Sequence, residues 1–232
     1  VDWGDMPAEA DFYGRRRQLS QLIQWLTVER CRLVTILGIG GVGKTALAAE
    51  VTRLMASTSH ERPPDMLPIG RGEGVEDPPF DQIVWRSLVN APPMTAILND
   101  WLQVLPAQKL SDLPENLEAK LGLLLKELNR QRCLLILDNA ESVLRDEVRD
   151  NQGKPVHEEY LQLMRLLAKT DHQSCLLLTS RETPWGVRQL AEDYPEVQLL
   201  QLHGLPADAG VDLLRFRDLE SSPEKLALIV ER

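Results

Sequence analysis

The chain of 232 residues corresponds to roughly one and a half domains at about 150 residues per domain. Its 43% hydrophobic and 26% charged residues exclude a disordered tail, a collagen and a small disulfide scaffold. Neither a bilayer-spanning apolar run nor a signal peptide is found, so we expect a cytoplasmic protein without a membrane partner. The net charge of −9 disfavours nucleic acid, which needs a clustered basic face. Val1 in first position and the fractional domain count predict a piece of a longer chain.

The three cysteines and the four histidines give no pattern of a metal site. Cys31, Cys133 and Cys175 are widely spaced, without a CxxC pair, and predict buried free thiols in a reducing compartment. The histidines stand apart from one another, so no zinc site is predicted.

Short apolar runs alternate with longer amphipathic segments along the chain. The runs are typical of parallel strands buried on both faces, and they cover residues 32–37, 83–89, 133–137, 175–179 and 197–202. Apolar residues recur at helical spacing in 115–130 and 158–170. Thr183-Pro184 and Ser222-Pro223 each predict an N-cap followed by a proline in the first helical position. This alternation predicts an α/β fold with a parallel sheet.

Three segments depart from this alternation. Residues 57–80 are rich in proline and glycine and predict a flexible insertion, and residues 145–155 predict a solvated, charged loop. From Gly204 onward no further strand is predicted. Residues 206–220 and 223–232 instead predict helices of a second layer.

A glycine-rich segment follows the first predicted strand and matches G-x-x-x-x-G-K-[ST] in full. Its glycines allow backbone N–H groups to turn inward around phosphate oxygens. Lys44 is predicted to reach the β- and γ-phosphates, and the Thr45 hydroxyl to bind Mg²⁺. A helix that begins at about Gly43 directs its positive end at the anion. The predicted phosphate contacts are Gly38, Gly40, Gly41, Val42, Gly43, Lys44, Thr45 and Ala46.

An acidic residue ends the third predicted strand, at the edge where ligands bind in open α/β sheets. This residue, Asp138, is predicted to hold Mg²⁺. Asn139 stands where many hydrolytic relatives carry a second acid, and an amide cannot accept a proton from water at neutral pH. Glu141 is nearby, but the spacing does not tell which way it faces. We therefore leave the base unassigned and expect slow hydrolysis or dependence on an outside group.

The fourth predicted strand is followed by Arg181, which is predicted to contact the γ-phosphate and to sense its presence. Lys44, Asp138 and Arg181 are thus the predicted catalytic residues. No Asn-Lys-x-Asp motif for guanine occurs in the chain, which favours an adenine nucleotide, ATP or ADP, with Mg²⁺.

Together these motifs resemble the NB-ARC, or AP-ATPase, branch of the STAND signalling NTPases. Residues 12–19 (FYGRRRQL) are similar to its N-terminal hhGRxxEL motif, with Gln18 in place of the usual Glu. Residues 38–45 are similar to its phosphate loop, and residues 133–141 to its Walker B strand. Residues 176–182 are similar to its sensor strand, and residues 202–206 to the connection that leads into its helical subdomain. Residues 80–93 are similar to cyanobacterial members, which often carry WD repeats.

The resemblance implies a five-stranded sheet ordered 5-1-4-3-2, which places the three cysteines at the edge opposite the phosphate loop. It implies adenine contacts at Phe12, Tyr13 and Arg15, a further nucleotide contact at Asn139, and a switch between closed ADP and open ATP states. The implied units are an N-terminal linker and first helix (1–29), a nucleotide-binding domain (30–203) and the beginning of a helical subdomain (204–232). The implied partners are flanking effector and sensor domains and, in the ATP state, further copies of the full-length protein.

The family's GxP motif and winged-helix histidine would lie beyond Arg232, which implies weaker nucleotide binding or an incomplete switch. We interpret the chain as the nucleotide-binding domain of a signalling or defence ATPase. Two alternatives remain: a scaffold that holds ADP without turnover, which Asn139 favours, and a small-molecule kinase with residues 57–80 as its lid.

Overall fold

The computed structural model describes residues 1–8, 14–57, 78–106, 113–144, 156–184 and 186–205. Several predictions fall outside these residues: the contacts of Phe12 and Tyr13, most of the 57–80 insertion, the 145–155 loop and the helices after residue 205.

Within the described residues, five parallel strands form one sheet in the order β2-β3-β4-β1-β5. In the register, Leu33 of β1 lies between Leu176 of β4 and Val197 of β5. This is the order 5-1-4-3-2 read from the other side, so the predicted α/β class and strand order are confirmed. The strands are β1 (Leu33–Leu37), β2 (Gln82–Ser87), β3 (Cys133–Asp138), β4 (Cys175–Ser180) and β5 (Val197–Gln201).

Helices connect the strands within the described residues. The helix predicted at 115–130 begins at Leu117, because the Asn116 side chain accepts a hydrogen bond from the Ala119 N–H and caps it. The helices are α1 (Arg16–Thr27), α2 (Lys44–Ala56), α3 (Met94–Val104), α4 (Leu117–Arg130), α5 (Val156–Lys169) and α6 (Val187–Asp193).

The helix predicted to begin at Thr183-Pro184 begins later than the sequence indicates. Gly186 has a positive φ of 82° and is the N-cap of α6, which begins only at Val187. The Val187 N–H donates to the Pro184 carbonyl at 3.1 Å, so Pro184 belongs to a turn that precedes the helix. A left-handed residue interrupts the helical path, and Thr183-Pro184 therefore cannot be the first residues of α6.

The sheet is covered on both faces, and the residues of β3 divide between them. Leu134 and Ile136 pack with the cluster under α1 and α2, whereas Leu135 and Leu137 pack with the cluster under α3, α4, α5 and α6. Each leucine removed from water in this way contributes about 1.5–3 kcal/mol. Burial on both faces fixes the positions of the carboxyl ends of the central strands, from which the following loops extend.

The cysteines lie at the beginnings of the central strands. Cys133 and Cys175 are the first residues of β3 and β4, and Cys31 lies two residues before β1. All three are buried and free. Burial raises the pKa of the Cys31 and Cys133 thiols to about 12. These thiols therefore stay protonated and unreactive at neutral pH, at the edge of the sheet away from the phosphate loop.

Candidate functional site

The carboxyl ends of the three central strands bring the predicted site residues together. β1 and β4 pair up to Leu37 and Ser180, and β3 ends at Asp138 beside β4. The phosphate loop leaves β1, Asp138 ends β3, and Arg181 follows β4. Residues far apart in the sequence therefore meet at one edge of the sheet, the edge that binds ligands in this class of fold.

The loop leaves room for an anion where a side chain would fill it. Gly41 and Gly43 have positive φ angles of 78° and 95°, and a Cβ on either would meet no atom within 4 Å. Left-handed residues of this kind let successive N–H groups line an anion-binding concavity. Gly43 is also the N-cap of α2, whose first residue is Lys44. The conformation of the loop and the open space beside it fit a phosphate group at the positive end of α2.

Gly38 serves a different purpose from that of Gly41 and Gly43. A Cβ at Gly38 would lie 2.7 Å from the Leu202 carbonyl oxygen and 2.9 Å from Cγ1 of Val42. The Leu202 N–H donates to the Leu37 carbonyl at 2.7 Å, so backbone bonding holds this segment against the loop. Gly38 is therefore required for close packing of the loop against the residues that follow β5.

We expect Gly38→Ala to lower the free energy of unfolding by about 3 kcal/mol, from overpacking and an unfavourable φ. Gly41→Ala is the matched control and should cost only about 1 kcal/mol, because its added Cβ meets open space. Urea unfolding of both variants measures the difference. Equal losses would contradict a packing role that is specific to Gly38.

Lys44 is nearly buried, at 8% exposure, and its ammonium lies over the loop. The Nζ atom donates to the carbonyls of Gly38 at 2.8 Å and Ile39 at 3.1 Å. Burial lowers the pKa of Lys44, while the negative charges of Glu141 and Asp138 oppose that effect. An ammonium has three donors, and the loop carbonyls accept two hydrogen bonds from it. These bonds hold the cation where a phosphate on the loop would meet it.

Asp138 and Thr45 form an oxygen-rich pair. Oγ1 of Thr45 donates to Oδ1 of Asp138 at 2.9 Å, and the Thr179 hydroxyl donates to the same carboxylate. Burial raises the pKa of Asp138, and hydrogen bonds from the two threonines partly offset that rise. A hydroxyl and a carboxylate are oxygen ligands of the kind that Mg²⁺ prefers, so the pair fits that ion. The described residues offer no larger cluster of ligands, so phosphate and water would complete the coordination.

Asn139 adopts the left-handed conformation, with φ of 61°, directly after β3. Its backbone N–H donates to Oγ1 of Thr179 at 3.0 Å, and its side-chain amide donates to Oδ2 of Asp138 at 3.3 Å. The amide therefore supports the Asp138 carboxylate. The sequence already shows that this position carries no acid. The structure shows in addition that the Asn139 amide is hydrogen-bonded to Asp138.

Arg181 forms an ion pair with Glu141. Its Nε donates to Oε1 of Glu141 at 2.9 Å, and the two side chains are 58% and 12% exposed. A Cβ added at Gly40 would lie 3.6 Å from the Cζ atom of Arg181, so the guanidinium lies beside the phosphate loop. A short 3-10 helix, Ala140–Ser142, follows Asn139 and carries Glu141. Sequence reasoning left Glu141 without a role, since its direction depends on this turn.

Arg15 lies next to the loop but is engaged by backbone carbonyls. It is only 5% exposed, and Nη2 donates to the carbonyls of Val42 at 3.0 Å and His203 at 2.6 Å. It thereby ties the beginning of α1 to the phosphate loop and to the residues after β5. Its predicted contact with adenine stays a prediction, as do those of Phe12 and Tyr13, outside the described residues.

Three known proteins resemble the whole fold at low sequence identity. The Aeropyrum pernix ORC2 protein, in ADPNP and ADP complexes, has a TM-score of 0.58 and 18% identity, over 97% of this chain and 58% of that one. The ORC1 protein of the same organism, in complex with DNA, has a TM-score of 0.54 and 14% identity, over 92% of this chain and 50% of that one. An Escherichia coli HORMA:CdnC:Trip13 complex has a TM-score of 0.53 and 12% identity, over 95% of this chain and 73% of the matched one. At these identities the likeness shows the fold alone.

A relative with higher identity is an uncharacterized WD repeat-containing protein of Nostoc sp., which is 39% identical over 217 residues. The alignment covers 94% of this chain but only 16% of that protein. The family profile described as AAA ATPase domain matches residues 11–179. Because this match extends over more than half of the chain and includes the phosphate loop, Asp138 and most of β4, the chain belongs to the AAA ATPase domain family.

Proposed function

We propose that this chain is the nucleotide-binding domain of a STAND-type signalling ATPase, a switch that binds Mg·ATP and Mg·ADP and hydrolyses ATP slowly. The observation that carries the proposal is the position of Lys44 over the open phosphate loop, with the Thr45–Asp138 pair beside it. The NB-ARC assignment rests on the motif resemblance, to which the WD-repeat relative adds support.

Each residue of the site has a distinct task in this proposal. The loop N–H groups and Lys44 bind the phosphates, and Thr45 and Asp138 hold Mg²⁺. When bound, Mg²⁺ neutralises charge on the β- and γ-phosphate oxygens. Arg181, which is 58% exposed beside Gly40, senses the γ-phosphate. Adenine is the proposed base, because the chain lacks the motif that reads guanine.

Arg15 supplies a physical connection for the switch. It holds the Val42 carbonyl of the phosphate loop and the His203 carbonyl after β5 with one guanidinium group. A rearrangement of the loop on nucleotide exchange therefore acts, through Arg15, on the beginning of α1 and on the residues after β5. In such a switch, ATP and ADP favour different arrangements according to their differential affinity.

Partners of the longer protein follow from the proposal. We propose flanking effector and sensor domains, and self-association in the ATP state. One ORC structure contains DNA, but its similarity to this chain shows the fold alone. The net charge of −9 continues to favour a protein without a nucleic-acid partner. No described helix combines the length and the apolarity that crossing a bilayer requires.

Phosphate release from Mg·ATP, followed over several hours for the wild-type chain and for Lys44→Ala, tests this function. We expect the wild-type chain to release phosphate measurably faster than the variant. Equal rates, with ADP bound tightly by the wild type, would favour the second candidate, a scaffold that holds ADP without turnover. That candidate is supported by the engaged amide of Asn139, which occupies the usual place of an acid.

A further inference from the structure

The two carboxylate oxygens of Glu141 have different surroundings. Oε1 accepts the hydrogen bond from Nε of Arg181 at 2.9 Å. Oε2 is buried and has no hydrogen-bond partner among the described residues. Leaving a buried polar atom without a partner costs about 1–3 kcal/mol, and more when the group is charged. Native proteins keep few such atoms, so the unpartnered oxygen requires an explanation.

Glu141 lies within the site formed by the central strands. The 3-10 helix that carries it begins directly after Asn139, at the carboxyl end of β3. The Glu141 charge acts on both Lys44 and Asp138. Arg181, its partner, lies beside Gly40 of the phosphate loop. The unpartnered oxygen therefore belongs to the same site as the residues that bind phosphate.

The neighbouring polar groups are already engaged by other contacts. The Asn139 amide cannot accept one at neutral pH, and it donates to Asp138. The Asp138 carboxylate accepts from both Thr45 and Thr179, and it is the proposed ligand of Mg²⁺. Of the described carboxylates that act on Lys44, Glu141 is the one with an oxygen not already engaged.

We propose that Glu141 is the general base for ATP hydrolysis, with Arg181 as the positioning residue that holds it. This inference rests on the proposed ATPase function. In the step, the water oxygen bonds to the γ-phosphorus while the bond to the β–γ bridging oxygen breaks. ADP leaves with that electron pair, and the water proton passes to Oε2 of Glu141. The products are ADP, phosphate and one proton.

The burial of Oε2 accounts for slow turnover in this proposal. Bulk water does not reach that oxygen in the described structure, so a water must be admitted to it before the chemical step. Arg181 holds Oε1, which leaves Oε2 as the oxygen that would accept the proton of this water. The conformational step precedes the chemical one and lowers the observed rate, because few sites hold the water at any one time.

Single-turnover hydrolysis by the 232-residue chain tests the role of Glu141. We expect Glu141→Gln, which keeps the shape but cannot take a proton, to lower the rate about 100-fold or more. The dissociation constants of Mg·ATP and Mg·ADP should stay within about twofold of wild type, because the residue binds neither phosphate nor metal in this account. Should that variant not fold, Glu141→Asp withdraws the carboxylate and should lower the rate about tenfold.

Glu127→Gln is the matched control. Glu127 pairs with Arg130 at 2.7 Å, and their exposures of 15% and 47% resemble those of Glu141 and Arg181. The pair lies on α4, outside the phosphate site, so its loss should leave hydrolysis unchanged. Urea unfolding of both variants separates the loss of an ion pair from the loss of a base.

Two results would overturn the role of Glu141. One is hydrolysis by Glu141→Gln within about threefold of wild type, and the other is a loss of nucleotide affinity as large as its loss of rate. Failure of the proposed ATPase function looks different. In that case the wild-type chain is no faster than Lys44→Ala, whatever residue stands at position 141.

Discussion

Lys44→Ala is expected to raise the dissociation constants of Mg·ATP and Mg·ADP about 100-fold or more. The ammonium is nearly buried and is held over the phosphate loop by two backbone carbonyls. Charge-assisted bonds to phosphate in a partly desolvated site are among the strongest polar interactions in proteins. A hundredfold change corresponds to about 2.7 kcal/mol. Fluorescent nucleotide titration measures the effect directly.

Lys120→Ala is the control for this substitution. Lys120 is also nearly buried, at 6% exposure, but it belongs to α4 and lies outside the phosphate loop. We expect this variant to bind both nucleotides as the wild type does. Lys44→Ala with wild-type affinity, or equal weakening in both variants, would contradict the assignment of the loop.

Asp138→Asn is expected to change activity and stability in opposite directions. Loss of the carboxylate removes a ligand of Mg²⁺, so hydrolysis of Mg·ATP should fall about 100-fold, as expected when several kcal/mol of metal assistance is lost. In metal-free buffer at neutral pH, however, the variant should unfold at a higher urea concentration than wild type. The two measurements are a phosphate-release assay and urea unfolding with a chelator present.

The gain in stability follows from the direction of the pKa shift. Burial raises the pKa of Asp138 above its usual value of 3.8. Between that value and the raised one, the folded protein binds more protons than the unfolded chain, so the free energy of unfolding falls as the pH rises. The amide introduced by Asp138→Asn carries no charge, so the variant escapes this loss. A variant that is less stable than wild type at neutral pH and equally stable at about pH 3, below both pKa values, would contradict the argument.

Much of the fold was predictable because hydrophobic patterning acts over short stretches of sequence. A continuous apolar run such as 133–137 predicts a strand buried on both faces, and β3 is buried throughout. The strand order came from the family resemblance and was confirmed by the pairing of β1 with β4 and β5. The predicted start of α6 was wrong, because a Thr-Pro signal is local and the left-handed Gly186 after it decides where the helix begins.

The phosphate site was predictable as a set of residues but not as a set of contacts. Arg181 and Glu141 are 40 positions apart, and their ion pair depends on how the chain turns after β3 and β4. Arg15 and His203 are 188 positions apart, and their spacing in the sequence does not indicate that the Arg15 guanidinium donates a hydrogen bond to the His203 carbonyl. Motifs predict the residue types that chemistry requires, whereas the partners of each atom depend on the fold.

The acidic composition is compatible with this site because its positive groups are local. The net charge of −9 acts across the whole surface, whereas a bound phosphate meets Lys44, the loop amides and the first turn of α2. A small number of well-placed donors outweighs a distant and screened excess of carboxylates.

Titration of the purified chain, freed of carried-over nucleotide, tests the central claim most directly. We predict one site per chain for Mg·ADP and Mg·ATP, with affinity at least about tenfold higher than for Mg·GDP, where tenfold corresponds to about 1.4 kcal/mol. Absence of binding, or affinity for the guanine nucleotide equal to or higher than that for the adenine nucleotides, would contradict the account of this protein as an adenine-nucleotide switch.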